Sequence, residues 1–165
     1  MTSTAKRLIR EREILPRLTL PVAGTGSDGH GKTVTLTGQQ TSLLVFVHAG
    51  CGSCESYLDE LAGSLEDLQS WATRLVAVTK GPDAPDGLPF PVVVDHDSTA
   101  RRRIGIGEDE AAVILADPWG EVNEVVTIGS DHGFPLPSQL VESAKIVDLG
   151  CGECNVPGPE WVDAE

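Results

Sequence analysis

The sequence predicts an α/β domain with a central mixed β-sheet and helices on both faces. Three observations carry this prediction. The run "SLLVFVHAG" (42–50) is apolar without interruption, which is typical of a strand buried on both faces. A helical pattern follows it, and a second apolar strand comes next, which calls for parallel strands joined by a right-handed crossover. Near the other end, "AAVILADPWGEVNEVVTIG" (111–129) reads as two strands around a Pro–Gly turn and predicts an antiparallel hairpin.

The N-terminal part of the chain precedes this central unit. Residues 6–15 mix charged and aliphatic side chains and predict a short helix that ends at Pro16, within an N-terminal extension over about 1–15. Short strands are predicted in "RLTLPVAG" (17–24) and "TVTLTG" (33–38). The intervening "GHGKT" is not expected to be a phosphate loop, because such a loop precedes a helix and here a strand pattern follows.

After the central strand, apolar residues recur every three or four positions and predict a helix that breaks at Gly63 and Ser64. We expect a single domain over 1–150, followed by a tail over 151–165. The remaining segments predicted for the domain are strands in 73–80 and 91–97, a short helix in 97–105 and a helix over 137–149 that starts at Pro137 and stops before Gly150.

Composition narrows the classes of function. The chain has 165 residues, enough for one sizeable core, and a net charge of −13. A negative field of this size disfavours binding to nucleic acid or to an anionic membrane. The start of the chain does not resemble a signal peptide and no apolar run is long enough to span a membrane, so we expect a cytoplasmic protein with reduced thiols.

Cys51 and Cys54 lie where the predicted central strand gives way to a helix. A thiolate at a helix start faces unpaired backbone N–H groups and the positive end of the helix dipole, which stabilise it. Cys54, one turn later, is close enough to attack a mixed disulfide on Cys51. His48 is a candidate base, or a cation that favours the thiolate. The pattern predicts a redox centre made of Cys51, Cys54 and His48.

These motifs resemble the thioredoxin-like superfamily, and most closely its redoxin branch of peroxiredoxins and thiol–disulfide oxidoreductases. The resemblance runs from about Pro16 to Val147 and rests on "LTLPVAG…KTVTLTGQQTSLLVFVHAGCGSC" and on "AAVILADPWGEV". It implies a thioredoxin-like fold, with Cys51 as nucleophile and Cys54 as resolving cysteine. It also implies a protein disulfide as substrate or a thiol as electron donor, and no cofactor.

The sequence departs from the pattern of that superfamily around the first cysteine. Gly50 stands where thioredoxins usually carry tryptophan, and Val45 stands where they bury an acid. Peroxiredoxins have a threonine three residues before their reactive cysteine and a proline seven before it, and here those positions hold His48 and Leu44. A peroxiredoxin-like thiol peroxidase is therefore the weaker alternative.

A second departure concerns the cis-proline that the superfamily places just before the hairpin strand. Glu110 or Ala111 occupies that position here. By resemblance, this loop binds substrate chains and keeps metals away from the cysteines. Without the proline, we do not expect the loop to recognise substrate chains in the usual way of the superfamily, and metal binding at the cysteines is less strongly prevented. A non-catalytic zinc-binding or interaction module on the same fold is thus a further alternative.

A second pair, Cys151 and Cys154, follows the last predicted helix in "CGEC". It is interpreted as a second redox pair, as ligands of a structural zinc ion completed by a residue such as His132 or by a second chain, or as an inert pair. The last helix, about 18 Å long, is expected to carry this pair to the opposite end of the domain from Cys51 and Cys54.

The basic run Arg101, Arg102 and Arg103 falls on the short helix predicted in 97–105. Successive residues of a helix point in different directions, so these side chains do not form one basic surface. We expect them to pair with the many acidic residues of the chain.

Overall fold

The computed structural model describes the chain over residues 7–23, 32–38, 40–48, 50–81 and 84–150. In that part of the chain, no helix is both long and apolar enough to cross a membrane. Its elements, in chain order, are β1 (Thr19–Pro21), β2 (Thr33–Thr35), β3 (Thr41–Phe46), α1 (Gly52–Ala62), α2 (Leu65–Ser70), β4 (Thr73–Thr79), β5 (Val92–Val94), α3 (Thr99–Ile104), β6 (Ala111–Ala116), β7 (Val122–Ile128) and α4 (Pro137–Leu149).

Five of the strands form one mixed sheet in the order β5-β4-β3-β6-β7. The strands β3, β4 and β5 run parallel, β6 is antiparallel to β3, and β7 is antiparallel to β6. β1 and β2 pair separately as an antiparallel hairpin. The predicted mixed sheet, its C-terminal hairpin and the break between α1 and α2 at Gly63 are confirmed.

Side chains of β3 alternate between two apolar cores, one on each face of the sheet. Leu43 and Val45 join the core that α1, α2 and α4 cover. Leu44 and Phe46 join the core that α3, the N-terminal segment and β1 cover. Because both faces are covered, all six residues of β3 are buried, which explains why four consecutive residues, 43–46, are apolar.

The helix predicted for residues 6–15 is wrong over the described residues 7–15, which form an irregular segment. Its backbone N–H groups bond elsewhere in the domain: Ile9 donates to the carbonyl of Ile104 at 2.8 Å and Leu15 to that of Gly120 at 2.8 Å. Both side chains are buried. In an α-helix each of these N–H groups would instead bond to the carbonyl four residues earlier, so bonds to distant segments are incompatible with a helix here.

One end of the sheet gathers the segments that build the site described below. Phe46 at the carboxyl end of β3 pairs with Ala112, and Ala111 at the amino end of β6 pairs with Ile128 at the carboxyl end of β7. The loops after β3 and β7 and the segment before β6 therefore meet at this end.

The C-terminal end of α4 lies at the other end of the sheet. Ile146 and Gly150 border a cavity together with Thr41, the first residue of β3, and Trp119. The tail with Cys151 and Cys154 lies outside the described residues, so the predicted separation of the two cysteine pairs stays a prediction.

Gly105, which ends α3, allows the N-terminal segment to pack closely against the domain, because it has no Cβ. Its φ of +92° is a left-handed conformation, and a Cβ placed there would lie 2.7 Å from Leu8 Cα and closer still to the Arg7 carbonyl group. Gly87 has a similar φ of +78° but open space around it.

We expect Gly105→Ala to lower the free energy of unfolding by more than about 2 kcal/mol, because it combines backbone strain with a collision against the backbone of another segment. Gly87→Ala carries only the strain and should cost about 1 kcal/mol. Urea unfolding of both variants measures the difference. Equal losses would show that the N-terminal segment does not pack where the structure places it.

Candidate functional site

α1 begins at the first cysteine of the pair. Cys51 has an extended backbone, with φ −96° and ψ 112°, and its carbonyl accepts the N–H of Glu55 at 3.0 Å, so Cys51 is the N-cap residue. Just before it the backbone turns at Gly50 with φ +64°, a conformation that favours glycine. The predicted placement of Cys51 at a strand-to-helix junction is confirmed, and the helix dipole favours a negative charge there.

The two sulfur atoms lie in different surroundings. Cys51 is half-buried, whereas Cys54 is 0% exposed and belongs to the core that α1 covers. Mainly through desolvation, the pKa of the Cys54 thiol is raised to about 11; a hydrogen bond with the backbone of His48 opposes the rise, and the neighbouring Cys51 thiol adds to it. Cys54 is thus the protected thiol of the pair and Cys51 the accessible one.

His48 contacts the buried sulfur. Its Nδ1 lies 3.5 Å from Cys54 Sγ, and its Nε2 lies 2.5 Å from the carbonyl oxygen of Asp109. A carbonyl oxygen only accepts, so Nε2 carries the hydrogen and, in the neutral ring, Nδ1 presents its lone pair to Cys54. The candidate base from the sequence therefore lies against the second cysteine.

His132 contacts the accessible sulfur, with its Nε2 3.2 Å from Cys51 Sγ. The sequence analysis considered this histidine only as a partner for Cys151 and Cys154, and the structure instead places it at the first pair. The topology offered this indication, because His132 follows the carboxyl end of β7, and that end lies at the same end of the sheet as the carboxyl end of β3, with only β6 between the two strands.

His132 is held in place by the loop that connects β7 to α4. Its φ is +52°, which is uncommon for a residue other than glycine. Its own N–H donates to Gly129 at 3.1 Å, and its carbonyl accepts the N–H of Phe134 at 2.8 Å. The ring meets that of His48 edge-on, with 5.5 Å between the ring centroids.

Tyr57 of α1 anchors the same loop. Its ring stacks on Phe134, with the centroids 4.1 Å apart and the planes 15° from parallel. Its hydroxyl donates to the carbonyl of Pro135 at 2.7 Å, and burial raises the pKa of Tyr57. The helix that carries both cysteines thus fixes the loop that carries His132.

Arg101 is buried beneath the site, with 1% of its surface exposed, and its guanidinium bonds to backbone carbonyls rather than to acidic side chains as predicted. Its guanidinium donates at 2.7 Å each to the carbonyls of Val47 and Glu110, and at 3.4 Å to that of Gly107. These bonds tie the end of β3 to the segment that contains Asp109. Arg102 and Arg103 are exposed.

Asp95, 0% exposed, orients the helix that carries Arg101. Its two carboxylate oxygens accept the N–H groups of Ala100 and Arg101, each at 3.1 Å. Burial lowers the pKa of Arg101, and the negative charge of Asp95 opposes this effect. The buried guanidinium therefore has both hydrogen-bond acceptors and a nearby negative charge.

The segment before β6 lacks the cis bond of the superfamily pattern. Every peptide bond in the described ranges is trans, and Ala111 is simply the buried first residue of β6. The absence of a cis-proline at Glu110 or Ala111 is thus confirmed. Instead, this segment contacts the site through the Asp109 carbonyl.

Four side chains from three segments converge at the site: His48, Cys51, Cys54 and His132. One nitrogen or sulfur atom of each lies within 4.8 Å of those of the other three. Each thiol has its own imidazole. Such a set can move protons to and from sulfur, and the same atoms can bind a soft metal ion. Cys151 and Cys154 lie outside the described residues, so their roles stay predictions.

Comparisons with known proteins agree on the fold. No family model matches the sequence, and no curated protein sequence matches it. Among solved structures, peroxiredoxin Q from Xanthomonas campestris is similar with a TM-score of 0.67 and 16% identity, covering 84% of this chain and 99% of that one.

Two further structures extend the similarity to thiol–disulfide exchange proteins. A putative thiol:disulfide interchange protein DsbE from Chlorobium tepidum has a TM-score of 0.62 and 20% identity, covering 82% of this chain and 99% of that one. A putative thioredoxin from Neisseria meningitidis has a TM-score of 0.60 and 23% identity, covering 87% and 97%. The chain therefore has a thioredoxin-like fold, of the kind found in peroxiredoxins and thiol–disulfide oxidoreductases.

Proposed function

We propose that this protein is a thiol–disulfide oxidoreductase in which Cys51 attacks and Cys54 resolves. One observation carries the proposal: an accessible thiol at the start of a helix and a buried thiol one turn later each lie against their own imidazole. The thioredoxin-like fold supports redox chemistry at thiols in general, and the unequal surroundings of the two sulfur atoms support the proposed order.

The first step takes place at Cys51. Its thiol gives its proton to Nε2 of His132, and the helix dipole stabilises the thiolate that forms. The thiolate attacks one sulfur of a substrate disulfide. A bond forms between Cys51 Sγ and that sulfur, the substrate S–S bond breaks, and the leaving thiolate takes up a proton.

The second step takes place at Cys54. Its thiol gives its proton to Nδ1 of His48, and the resulting thiolate attacks Cys51 Sγ. The disulfide between Cys51 and Cys54 forms, and the second substrate thiol leaves. In total two electrons and two protons pass to the substrate, and a thiol electron donor returns the pair to the reduced state.

A groove lined by His132, whose ring contacts Cys51 Sγ, is the place for a substrate chain. It has a volume of about 200 Å³ and lies between the first turns of α1 and the loop of His132. Ser53 and Tyr57 line one side, and His132 and the exposed Leu136 line the other. A mixed surface of this kind, next to the attacking sulfur, favours a protein disulfide as the substrate.

The peroxidase alternative has weaker support from the site. Leu44, at one of the two marker positions, is buried in β3, and His48, at the other, binds Cys54 and the Asp109 carbonyl. Neither side chain offers a hydroxyl near Cys51.

Reduction of insulin, with dithiothreitol as the electron donor, tests the proposed function. We expect Cys51→Ser to abolish the activity. In a single turnover of reduced protein with insulin and without dithiothreitol, Cys54→Ser should accumulate a mixed disulfide with the substrate, detectable by mass spectrometry, because the resolving thiol is missing. His132→Ala should slow the attack at neutral pH by about tenfold or more, since the proton acceptor is lost.

His96→Ala is the matched control, because His96 is exposed and follows β5 at the same end of the sheet without joining the four-residue group. It should leave the rate unchanged. Activity that survives Cys51→Ser, or that disappears in a Cys151→Ser/Cys154→Ser double variant, would contradict the assignment.

The two thiols should also differ in their reaction with iodoacetamide. In reduced protein kept free of metal by a chelator, we expect Cys51 to be alkylated at least about tenfold faster than Cys54 near neutral pH, because Cys54 is 0% exposed and its pKa is raised to about 11. Peptide mapping at successive times measures both rates. The rate at Cys54 should rise as the pH approaches 11, and equal rates near neutral pH would refute the assigned order.

A further inference from the structure

The donor set of the site is that of a metal centre as well as of a redox centre. Two sulfur atoms and two imidazole nitrogens converge from Cys51, Cys54, His48 and His132. Thiolate and imidazole together favour zinc among the common metal ions, because both are softer ligands than the carboxylates and carbonyls that magnesium and calcium prefer.

The spacing of the four atoms matches one tetrahedral ion. Bond lengths of about 2.3 Å for Zn–S and about 2.0 Å for Zn–N give a tetrahedron with edges of about 3.3 to 3.8 Å. The Cys51 Sγ to His132 Nε2 distance is 3.2 Å and the Cys54 Sγ to His48 Nδ1 distance is 3.5 Å. All four atoms lie within 4.8 Å of one another, so only shifts of an ångström or less are needed.

The orientation of His48 also fits a ligand. In metal sites, a ligating histidine donates its other ring N–H to a carbonyl or carboxylate, which fixes the ring and its tautomer. Here Nε2 donates to the Asp109 carbonyl, and Nδ1 faces Cys54 with its lone pair available. The ring is therefore set for coordination through Nδ1.

The position of His132, beside Cys51, is also fixed by its surroundings. Its left-handed backbone is a strained conformation for a histidine, and such strain persists only where surrounding contacts impose it. The stack of Tyr57 on Phe134 supplies such a contact. A preformed position for the fourth ligand reduces the ordering that metal binding requires.

We propose that His48, Cys51, Cys54 and His132 bind one zinc ion tetrahedrally in the reduced protein. Binding replaces the two thiol protons, and two thiolates with two neutral imidazoles make the Zn²⁺ site neutral overall. The inference goes beyond the proposed function and rests on the geometry of the four side chains alone.

Zinc binding and the disulfide exclude each other at this site. If a disulfide compound oxidises the bound thiolates, the Cys51–Cys54 bond forms, both Zn–S bonds break, and the compound leaves as two thiols after taking up two protons. The ion is then held only by two imidazoles and is released. The metal would thus block the attacking thiol until the ion is removed or the two thiolates are oxidised to the disulfide.

Titration of reduced, metal-free protein with Co²⁺ tests the proposal. The full chain should carry Cys151→Ser and Cys154→Ser, so that only the first pair remains. We expect one Co²⁺ per chain, with thiolate-to-cobalt charge transfer and the intense visible bands of a tetrahedral site, and its displacement by one equivalent of Zn²⁺. Protein oxidised to the disulfide should show no such spectrum.

Histidine variants in the same background identify the ligands. His48→Ala and His132→Ala should each weaken cobalt binding by at least about tenfold, whereas His96→Ala should not change it. Absence of a tetrahedral spectrum in the background protein, or unchanged affinity in both ligand variants, would overturn the zinc site. The first criterion holds even if a histidine variant fails to fold, which circular dichroism would show.

Insulin reduction by the metal-free protein separates the two proposals. Cobalt binding without exchange activity would leave the zinc site standing and overturn the oxidoreductase. Exchange activity without cobalt binding would do the reverse.

Discussion

The buried guanidinium of Arg101 is the interaction on which the site depends. A cation at 1% exposure is tolerated only because the carbonyls of Val47 and Glu110 accept its hydrogens and because Asp95 lies nearby. Those two carbonyls belong to different segments, one leading into His48 and the other following Asp109. Arg101 thereby sets the distance between the end of β3 and the segment before β6, and with it the bond that orients His48.

The two sulfur atoms are surrounded by different parts of the chain. Cys54 is buried by the amphipathic pattern of α1 and faces a histidine from the end of β3, whereas Cys51 faces a histidine from the loop after β7. This division underlies the order of attack that we propose for the pair, and it also brings together the four donors of the proposed zinc site. The same geometry therefore supports two kinds of chemistry that compete for the same lone pairs.

The sequence was a good guide wherever the signal is local. The buried strand β3, the Gly63 break and the junction at Cys51 follow from periodicity and turn chemistry, and the structure agrees with each. Contacts distant in sequence were missed or misassigned. Nothing in "TARRRI" separates the buried Arg101 from its exposed neighbours, and the 6–15 helix failed because Ile9 and Leu15 pack against distant elements. The place of His132 could have been predicted, since the topology puts the carboxyl ends of β7 and β3 at the same end of the sheet, with only β6 between them.

The stack of Tyr57 on Phe134 has a spectroscopic consequence. Tyr57 is the only tyrosine of the chain, and it lies two turns or less from both cysteines while its hydroxyl is bonded to the loop of His132. The tyrosine band of the near-ultraviolet circular dichroism spectrum therefore originates at the site itself. The protein carries a natural optical label that reports, without any added probe, on the coupling between the helix of the cysteines and the loop of the histidine.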